Sequence, residues 1–368
     1  MVAEIKLAVA GSGKTRWLGD NVLLEKRNLL ITFTNQNVKN IKHSIQRHHG
    51  EIPENTYVMT YTRFVYYWLL RPFEPSIKVG DHVGSFRSSG IDITTPPVHD
   101  RENPGNGYYT KDKVFHYLSR WSNGLFSNRL SDLYCCQPAV YKKKARERLD
   151  KFFDAIYVDE FQDFTDADYK LLVDLAKISD TEVHYVGDFY QSLVSNSNKR
   201  RGTPYSKITE LSEIIDEFRE KKFEVDTQTL RRSWRCSAEV CTFVNSRLGI
   251  PIESADEHDG SIVLLSNQLE IMRTLNNTEI TKLMWSSAVP GYDLFPSTNK
   301  WGYSKGDTYR DICVVLTDST DHLLEDTELK LKPQTLHRLY VALTRAKRNV
   351  FLVKRSDYLK ALKNQAVS

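Results

Sequence analysis

The residues best suited to do chemistry form a glycine-rich segment near the N-terminus, residues 11–15, with the sequence GSGKT. Residues 8–15 fit the phosphate-loop pattern G-x-x-x-x-G-K-[ST], with Ala8 in place of the first glycine. Glycines let backbone N–H groups converge on phosphate oxygens, and the following helix directs its positive end at the same anion. In such a loop Lys14 would reach the β- and γ-phosphates, and the Thr15 hydroxyl would bind Mg²⁺.

A second group of candidate residues lies at the end of a later strand. The apolar residues 155–158 are followed directly by Asp159 and Glu160, at the predicted carboxyl edge of a sheet, where ligands bind in open α/β folds. Asp159 could hold Mg²⁺, and Glu160 could accept a proton from an attacking water. The alternative is an ordinary acidic loop with a capping aspartate. The phosphate-loop pattern upstream, which also follows a strand, favours the catalytic interpretation.

Three further side chains could act on a transferring phosphoryl group. Gln191 follows another predicted strand and could sense the γ-phosphate or position the water. Arg235 and Arg345 lie in the second half of the chain. An arginine suits this task because its guanidinium is always charged and binds anions through two donors. Both arginines therefore suit the charge that builds up on a transferring phosphoryl group.

Alternating strands and helices must position these side chains. The first part of the chain alternates β-rich runs with helical patterns, including helices predicted over 16–26 and 35–49. This alternation predicts an α/β protein whose parallel sheet carries helices on both sides. Between about residues 72 and 150 the pattern gives way to a loop-rich, partly helical insertion. A second alternating run follows, with a helix predicted over 333–347.

The composition is that of a soluble globular protein, with 40% apolar and 27% charged residues in a chain of 368. The net charge of +4 is too small to indicate a nucleic-acid partner by itself. The five cysteines lack C-x-x-C spacing, which argues against a disulfide framework and a structural zinc site. No apolar stretch is long enough to span a membrane and no signal-peptide pattern begins the chain, so we expect a cytoplasmic protein without a membrane partner.

Taken in order, these blocks resemble the motifs of superfamily 1 helicases. The segments DEFQD at 159–163 and VALTRAK at 341–347 most resemble the UvrD/Rep/PcrA group. The resemblance extends from about residue 7 to 353 and omits the insertion. It implies two RecA-like lobes, each a parallel sheet flanked by helices. The first lobe would comprise residues 1–228 with the insertion at about 72–150, and the second lobe residues 229–368.

The resemblance implies that ATP and Mg²⁺ bind between the two lobes. Trp234 takes the aromatic place that stacks on adenine in the family, and Arg16 would lie near the opposite side of the nucleotide. Catalytic roles would fall to Lys14, Glu160, Gln191, Arg235 and Arg345, and metal binding to Thr15 and Asp159. The implied ATP contacts are Ala8, Val9, Ala10, Gly11, Ser12, Gly13, Lys14, Thr15, Arg16, Trp234, Gly306 and Thr308.

A second set of residues matches family motifs that contact single-stranded DNA. Phe33 would be a stacking platform for a base, and such stacking tolerates any sequence. The implied nucleic-acid contacts are Phe33, Thr34, Asn35, Thr60, Tyr61, Arg63, Ser304 and Lys305. Trp301 precedes the last of these motifs and is either a core residue or a base contact.

The chain departs from the family pattern in several places, among them Gly302 and Thr308, where relatives often have His and Glu. The glutamine motif that relatives carry before the phosphate loop has no room here. Leu193 is in the region where relatives usually supply a DNA-stacking aromatic residue. Only about fifty residues separate Gly249 from Asn299, where relatives insert an accessory domain, so that domain is expected to be absent or vestigial.

The expected function is that of an ATP-dependent single-stranded-DNA translocase or helicase, moving 3′ to 5′ by resemblance. The alternative is a nucleotide-switched interaction subunit that hydrolyses ATP without unwinding and recruits a nuclease or other partner. An RNA motor is a third, weaker interpretation. The sequence leaves the pathway open among repair, replication, plasmid maintenance and defence, each of which would supply a different partner.

Overall fold

The computed structural model describes residues 3–80, 82, 85–99, 107–193, 203–205, 208, 210–256, 258–326 and 330–365. Its strands are β1 (Glu4–Leu7), β2 (Asn28–Thr32), β3 (Thr56–Thr60), β4 (Gly90–Asp92), β5 (Gly124–Phe126), β6 (Ala155–Val158), β7 (Glu182–Gly187), β8 (Glu224–Asp226), β9 (Arg232–Ser233), β10 (Glu253–Ser254), β11 (Ile262–Leu265), β12 (Ile280–Met284), β13 (Thr298–Lys300), β14 (Asp311–Val315) and β15 (Val350–Val353).

The α-helices are α1 (Lys14–Asp20), α2 (Asn35–His49), α3 (Tyr61–Phe64), α4 (Val114–Tyr117), α5 (Leu130–Cys135), α6 (Ala139–Phe152), α7 (Asp166–Leu175), α8 (Leu211–Glu220), α9 (Ala238–Leu248), α10 (Gln268–Asn276), α11 (Asp318–Asp321), α12 (Pro333–Leu343) and α13 (Arg355–Gln365). A π-helical turn, Val65–Leu70, continues α3. Short 3₁₀ turns occupy Arg71–Ser76, Ser127–Arg129, Phe161–Asp163, Phe189–Gln191, Gly302–Ser304 and His322–Leu324.

Two parallel sheets organise these elements. The first sheet has the order β3-β2-β6-β7-β1-β8, and the second has the order β11-β15-β14-β12-β13. Every residue of β2 and β6 is buried, as expected for parallel strands covered on both faces. The predicted α/β class with parallel sheets and flanking helices is confirmed.

The carboxyl edge of the first sheet collects the candidate residues. β1 leads into the phosphate loop, β6 ends immediately before Asp159, and β7 ends immediately before Asp188. The neighbouring β2 ends immediately before Phe33. Parallel pairing makes all these strands end at the same edge, which brings residues far apart in sequence together.

The segment between β3 and β6 contains a small two-stranded sheet, β4 with β5, together with α4, α5 and α6. The fifty or so residues between α9 and β13 form β10, β11, α10 and β12, of which β11 and β12 are strands of the second sheet. None of the helices in the described ranges is long and apolar enough to cross a membrane.

Two helices differ in length from the sequence-based expectation. The helix predicted over 16–26 is Lys14–Asp20, and at its end the side-chain and backbone amides of Asn21 both donate to the Trp17 carbonyl (2.8 and 3.1 Å). The helix predicted over 333–347 ends at Leu343. By contrast, the helix predicted over 35–49 has those bounds, with Gly50 at φ 83° after its last residue.

Candidate active site

The phosphate loop joins β1 to α1 through two glycines with left-handed backbone, Gly11 (φ 73°) and Gly13 (φ 85°). A Cβ on Gly11 would lie 2.6 Å from Arg235 Cβ and 2.7 Å from Ser233 Oγ. The loop is therefore packed directly against the segment that carries one candidate arginine. The amides of Ala8, Val9 and Ala10 are engaged within the protein, donating to the Gly187 carbonyl, the Leu230 carbonyl and the Tyr340 hydroxyl.

A cavity of about 310 Å³, here called the phosphate-loop cavity, opens beside this loop. All five predicted catalytic residues line this cavity, although they lie far apart in the sequence. Its lining residues are Gly11, Ser12, Gly13, Lys14, Thr15, Asn37, Asn40, Glu160, Gln191, Trp234, Arg235, Gly306, Thr308, Arg345 and Lys347. Arg16 is exposed and pairs with Asp20, and it does not line the cavity.

Asp159 and Glu160 are adjacent in sequence but have different environments. Asp159 is 4% exposed and accepts a hydrogen bond from the Thr32 hydroxyl (3.1 Å). Burial, reinforced by the Glu160 charge, raises the pKa of Asp159. Burial also acts to raise the pKa of Glu160, but the charges of Lys14 and Lys305 outweigh it and lower that pKa. Glu160 is thus the carboxylate held in its ionised form.

The side chains here fit a divalent cation bound beside a phosphate, as in enzymes with a phosphate loop. Asp159 Oδ1 is buried without a hydrogen-bond partner, and so is Ser12 Oγ in the loop itself. Mg²⁺ in such enzymes is bound by one or two protein oxygens together with substrate phosphates and water. A single unsatisfied carboxylate oxygen beside a phosphate loop fits that requirement. Among the described residues there is no cluster of three or more His, Cys, Asp or Glu that would hold a metal alone.

Two arginines face the cavity close to each other. Arg345 is 1% exposed; burial, together with the charge of Arg235, lowers the pKa of its guanidinium to about 10. Its Nε donates to the Val341 carbonyl (2.8 Å), and Arg235 Nη1 donates to the Thr344 carbonyl (3.2 Å). Within the described ranges neither arginine forms an ion pair with a carboxylate. The arrangement favours an anion in the cavity.

A buried hydrogen-bond network, not foreseen from the sequence, joins the two sheets beneath the cavity. The Tyr340 hydroxyl of α12 accepts from the Ala10 amide (2.8 Å) and donates to Asp188 Oδ2 (3.2 Å). Gln191 Nε2 donates to the same carboxylate oxygen (2.7 Å). Tyr340 directly precedes the segment 341–347 that contains Arg345, and Asp188 directly follows β7, three residues before Gln191. Asn37, Asn40 and Lys347 are further cavity residues that the sequence reasoning missed.

A second cavity of about 410 Å³, here called the aromatic groove, lies between the sheets. Its lining residues are Phe33, Asp163, Leu193, Trp285, Ser286, Lys300, Gly302, Tyr303, Lys305 and Arg338. Of the predicted nucleic-acid contacts, Phe33 and Lys305 line it. Lys305 Nζ donates to both Asp163 oxygens (2.6 and 2.8 Å) and to the Gln191 carbonyl (3.1 Å).

The other predicted nucleic-acid residues do not line this groove. Ser304 is buried and donates to the Trp301 carbonyl, and Thr60 is also buried. Tyr61 is buried and packs on Phe164, which also contacts Phe33.

Three predicted contacts are exposed. Thr34 accepts from the Asn37 amide at the start of α2, Asn35 begins that helix, and the Arg63 guanidinium lies 5.9 Å from the Tyr67 ring centroid. The open question about Trp301 is answered by its burial: it is fully buried, and its ring N–H donates to the Leu283 carbonyl.

Comparison with known proteins identifies a family model and similar solved structures. The family model described as an AAA domain matches residues 5–196, just over half of the chain. No curated protein matches the chain. Among solved structures, the chain is similar to an Arterivirus protein, in the "Complex structure of Arterivirus nonstructural protein 10 (helicase) with DNA", at 14% identity and a TM-score of 0.46. The likeness covers 98% of this chain and 63% of that one.

Proposed function

Because this chain belongs to the AAA domain family, we propose that it is an ATP-dependent motor on single-stranded DNA, a superfamily 1 helicase of the UvrD/Rep/PcrA-like group. The observation that carries the proposal is the shared cavity. Lys14 follows β1 of the first sheet, Arg345 follows α12 beside the second, and both line the same 310 Å³ space. In this proposal residues 1–228 form the first lobe and residues 229–368 the second.

In this proposal each of the cavity residues has its own role in phosphoryl transfer. Lys14 and the α1 amides neutralise the β- and γ-phosphates. Glu160 accepts a proton from the attacking water, and Gln191 orients that water or senses the γ-phosphate. Arg235 and Arg345 stabilise the charge that develops on the transferred group, which is the role of an arginine finger. Thr15 and Asp159 would hold Mg²⁺, which would supply positive charge to the phosphates when bound.

The nucleic-acid part of the proposal rests on the aromatic groove. Phe33, 47% exposed at the end of β2, offers a ring to a base, and Lys300, Lys305 and Arg338 line the same groove. Aromatic rings combined with cations are typical of sites that bind single strands without sequence preference. We propose 3′-to-5′ movement from the family resemblance, to be tested on duplexes with a 3′ or a 5′ single-stranded tail.

The test is ATP hydrolysis with Mg²⁺, measured with and without a single-stranded oligodeoxynucleotide. We expect stimulation by the oligonucleotide, loss of activity in Lys14→Ala, and roughly a thousandfold or greater loss in Arg345→Ala. Arg310→Ala is the matched control, since Arg310 is an exposed arginine near the second sheet that does not line the cavity. Full stimulated activity in Lys14→Ala would refute the site assignment.

A second candidate function is a nucleotide-switched subunit that hydrolyses ATP without separating strands and recruits a nuclease or another partner. The Ala10–Tyr340–Asp188 network favours it, because the phosphate loop is hydrogen-bonded directly to the helix that carries the other sheet's arginine. A tailed duplex distinguishes the two functions. Hydrolysis without any strand displacement, on either tail polarity, supports the switch.

A further inference from the structure

One wall of the aromatic groove consists of residues that no family motif identified. Tyr303 is 71% exposed, and Lys300 Nζ lies 4.6 Å from its ring centroid. Trp285 is partly buried and makes an edge contact with Trp301 (ring centroids 5.5 Å apart). The Arg338 guanidinium lies 4.6 Å from the Trp285 ring centroid. Two aromatic rings, each with a cation beside it, therefore face the same space.

Next to this wall lies a residue that cannot stack. Leu193, in the region where an aromatic residue was expected, lines the groove near the second sheet. A Cβ on Gly302 would lie 3.6 Å from Leu193 Cδ1 and 3.9 Å from Arg338 Cγ. The chain segment that follows the first sheet's β7 thus contributes an aliphatic side chain, Leu193, to the groove. The aromatic rings beside it, Tyr303 and Trp285, come from the second sheet's part of the chain.

We propose that Tyr303 is a base-stacking platform for single-stranded nucleic acid, with Trp285 and its Arg338 partner as the adjacent step. This inference rests on the function proposed above and adds the residues that hold the strand on the second-sheet side. An exposed ring with a cation on one face leaves area free for a base. Among the described residues that line the groove, Asp163 is the one carboxylate, and it accepts from Lys305; no ion pair joins Lys300 or Arg338 to a described carboxylate, so both can contact backbone phosphates.

The first test is binding of dye-labelled fifteen-nucleotide oligothymidylate and oligouridylate, followed by fluorescence anisotropy. Tyr303→Ala should weaken binding roughly 5- to 150-fold, the range that the loss of one stacked base gives. Tyr303→Phe keeps the ring and should stay within about twofold of wild type. Trp121→Ala is the matched control, because Trp121 is 99% exposed and lies outside the groove. Comparison of the two oligonucleotides shows whether DNA or RNA is preferred.

The second test is photo-crosslinking of the wild-type protein to an oligonucleotide that contains 5-iododeoxyuridine. We expect a crosslinked peptide that contains Tyr303 or Trp285. If wild type binds neither oligonucleotide, the nucleic-acid part of the proposed function fails and this inference with it. If wild type binds but Tyr303→Ala binds equally well, or crosslinks map only to first-sheet residues, the platform inference alone is overturned.

Discussion

Glu160 has left-handed backbone (φ 53°, ψ 43°), which is uncommon for a residue with a side chain. This conformation directly after β6 leaves Asp159 buried and brings Glu160 to the wall of the phosphate-loop cavity. Strained backbone of this kind costs on the order of 1–3 kcal/mol and is retained when its surroundings require it. The strained turn gives two neighbouring carboxylates opposite pKa shifts, and hence different chemistry.

The Glu160→Gln variant tests the proton-accepting role. The amide has the shape of the carboxylate but cannot take a proton, so kcat should fall roughly 10²- to 10⁴-fold. Binding of a fluorescent ATP analogue should persist. Glu51→Gln, at an exposed position just after α2, is the control. A Glu160→Gln enzyme with unchanged kcat would assign the base to another residue.

The Gly11→Ala variant tests the close approach of the phosphate loop to residues 233–235. A methyl group there meets Arg235 Cβ and Ser233 Oγ inside 3.0 Å, whereas Gly50 has a similar positive φ and no atom within 4 Å of an added Cβ. Gly50→Ala therefore measures the backbone strain alone, about 1 kcal/mol. We expect Gly11→Ala to lose more unfolding free energy than this control in a denaturant titration. Equal losses would mean that the loop and the arginine segment are not in contact.

At the scale of elements, α12 shows what a pattern can and cannot predict. Its periodicity predicted a helix to residue 347, but the Thr344 hydroxyl donates to the Tyr340 carbonyl and Arg345 Nε donates to the Val341 carbonyl. The Arg345 side chain takes the Val341 carbonyl that the Arg345 backbone amide would bond in a longer helix, and that amide donates to the Ala342 carbonyl instead (3.2 Å). The helix therefore ends at Leu343, just before the cavity-lining Arg345. Periodicity predicts the apolar face of a helix, whereas such ends depend on individual side-chain contacts.

The strand ends that carry Asp159, Glu160 and Gln191 could be predicted, because an apolar run followed by polar residues is visible in sequence. The bond from Tyr340 to Asp188 joins residues 152 positions apart, and no local pattern encodes it. The same holds for Tyr303 and Trp285, whose proximity to Phe33 depends on how the two sheets pack. The phosphate-binding half of the site was therefore accessible to sequence reasoning, and the second wall of the groove was not.

Tyr340→Phe tests whether α12 is coupled to the phosphate loop. Removing the hydroxyl leaves the buried Ala10 amide without its acceptor, which costs about 1–3 kcal/mol. Tyr358→Phe is the matched control: its buried ring also loses one hydroxyl, which donates to the Pro290 carbonyl away from the cavity. Both variants should lower Tm by a few degrees. Only Tyr340→Phe should reduce oligonucleotide stimulation of ATP hydrolysis, and equal stimulation in the two would argue against the coupling.

At the scale of the whole molecule, the two sheets share one hydrophobic cluster that includes Ile5 and Leu29 on one side and Val314 and Leu352 on the other. The two cavities lie at this junction, and each is lined mainly by residues of the segments that connect the strands of the two sheets. Lys305 lies between the two cavities. Its side chain lines the aromatic groove, and its Nζ lies 3.9 Å from Glu160 Oε2 in the phosphate-loop cavity. The same Nζ donates hydrogen bonds to Asp163 and to the Gln191 carbonyl.

Lys305→Gln tests this connection through the ratio of ATP hydrolysis with and without a saturating oligonucleotide. We expect the ratio to fall towards one, because the charge that links the groove to Glu160 is gone. Lys300→Gln, a groove lysine that pairs with no described carboxylate, should weaken oligonucleotide binding and keep the ratio at saturation. A ratio unchanged in Lys305→Gln would separate the two cavities functionally.

A single ammonium cannot fully neutralise a strand phosphate and two protein carboxylates at once. In the proposed function, a strand phosphate that competed for Lys305 would remove part of the charge that compensates Asp163 and Glu160, and Glu160 would become a stronger base. ATP hydrolysis would then increase when a nucleic-acid strand is bound, because the Lys305 ammonium group contacts both the strand and Glu160. Strand binding could therefore change the rate of ATP hydrolysis without a large rearrangement of the two sheets.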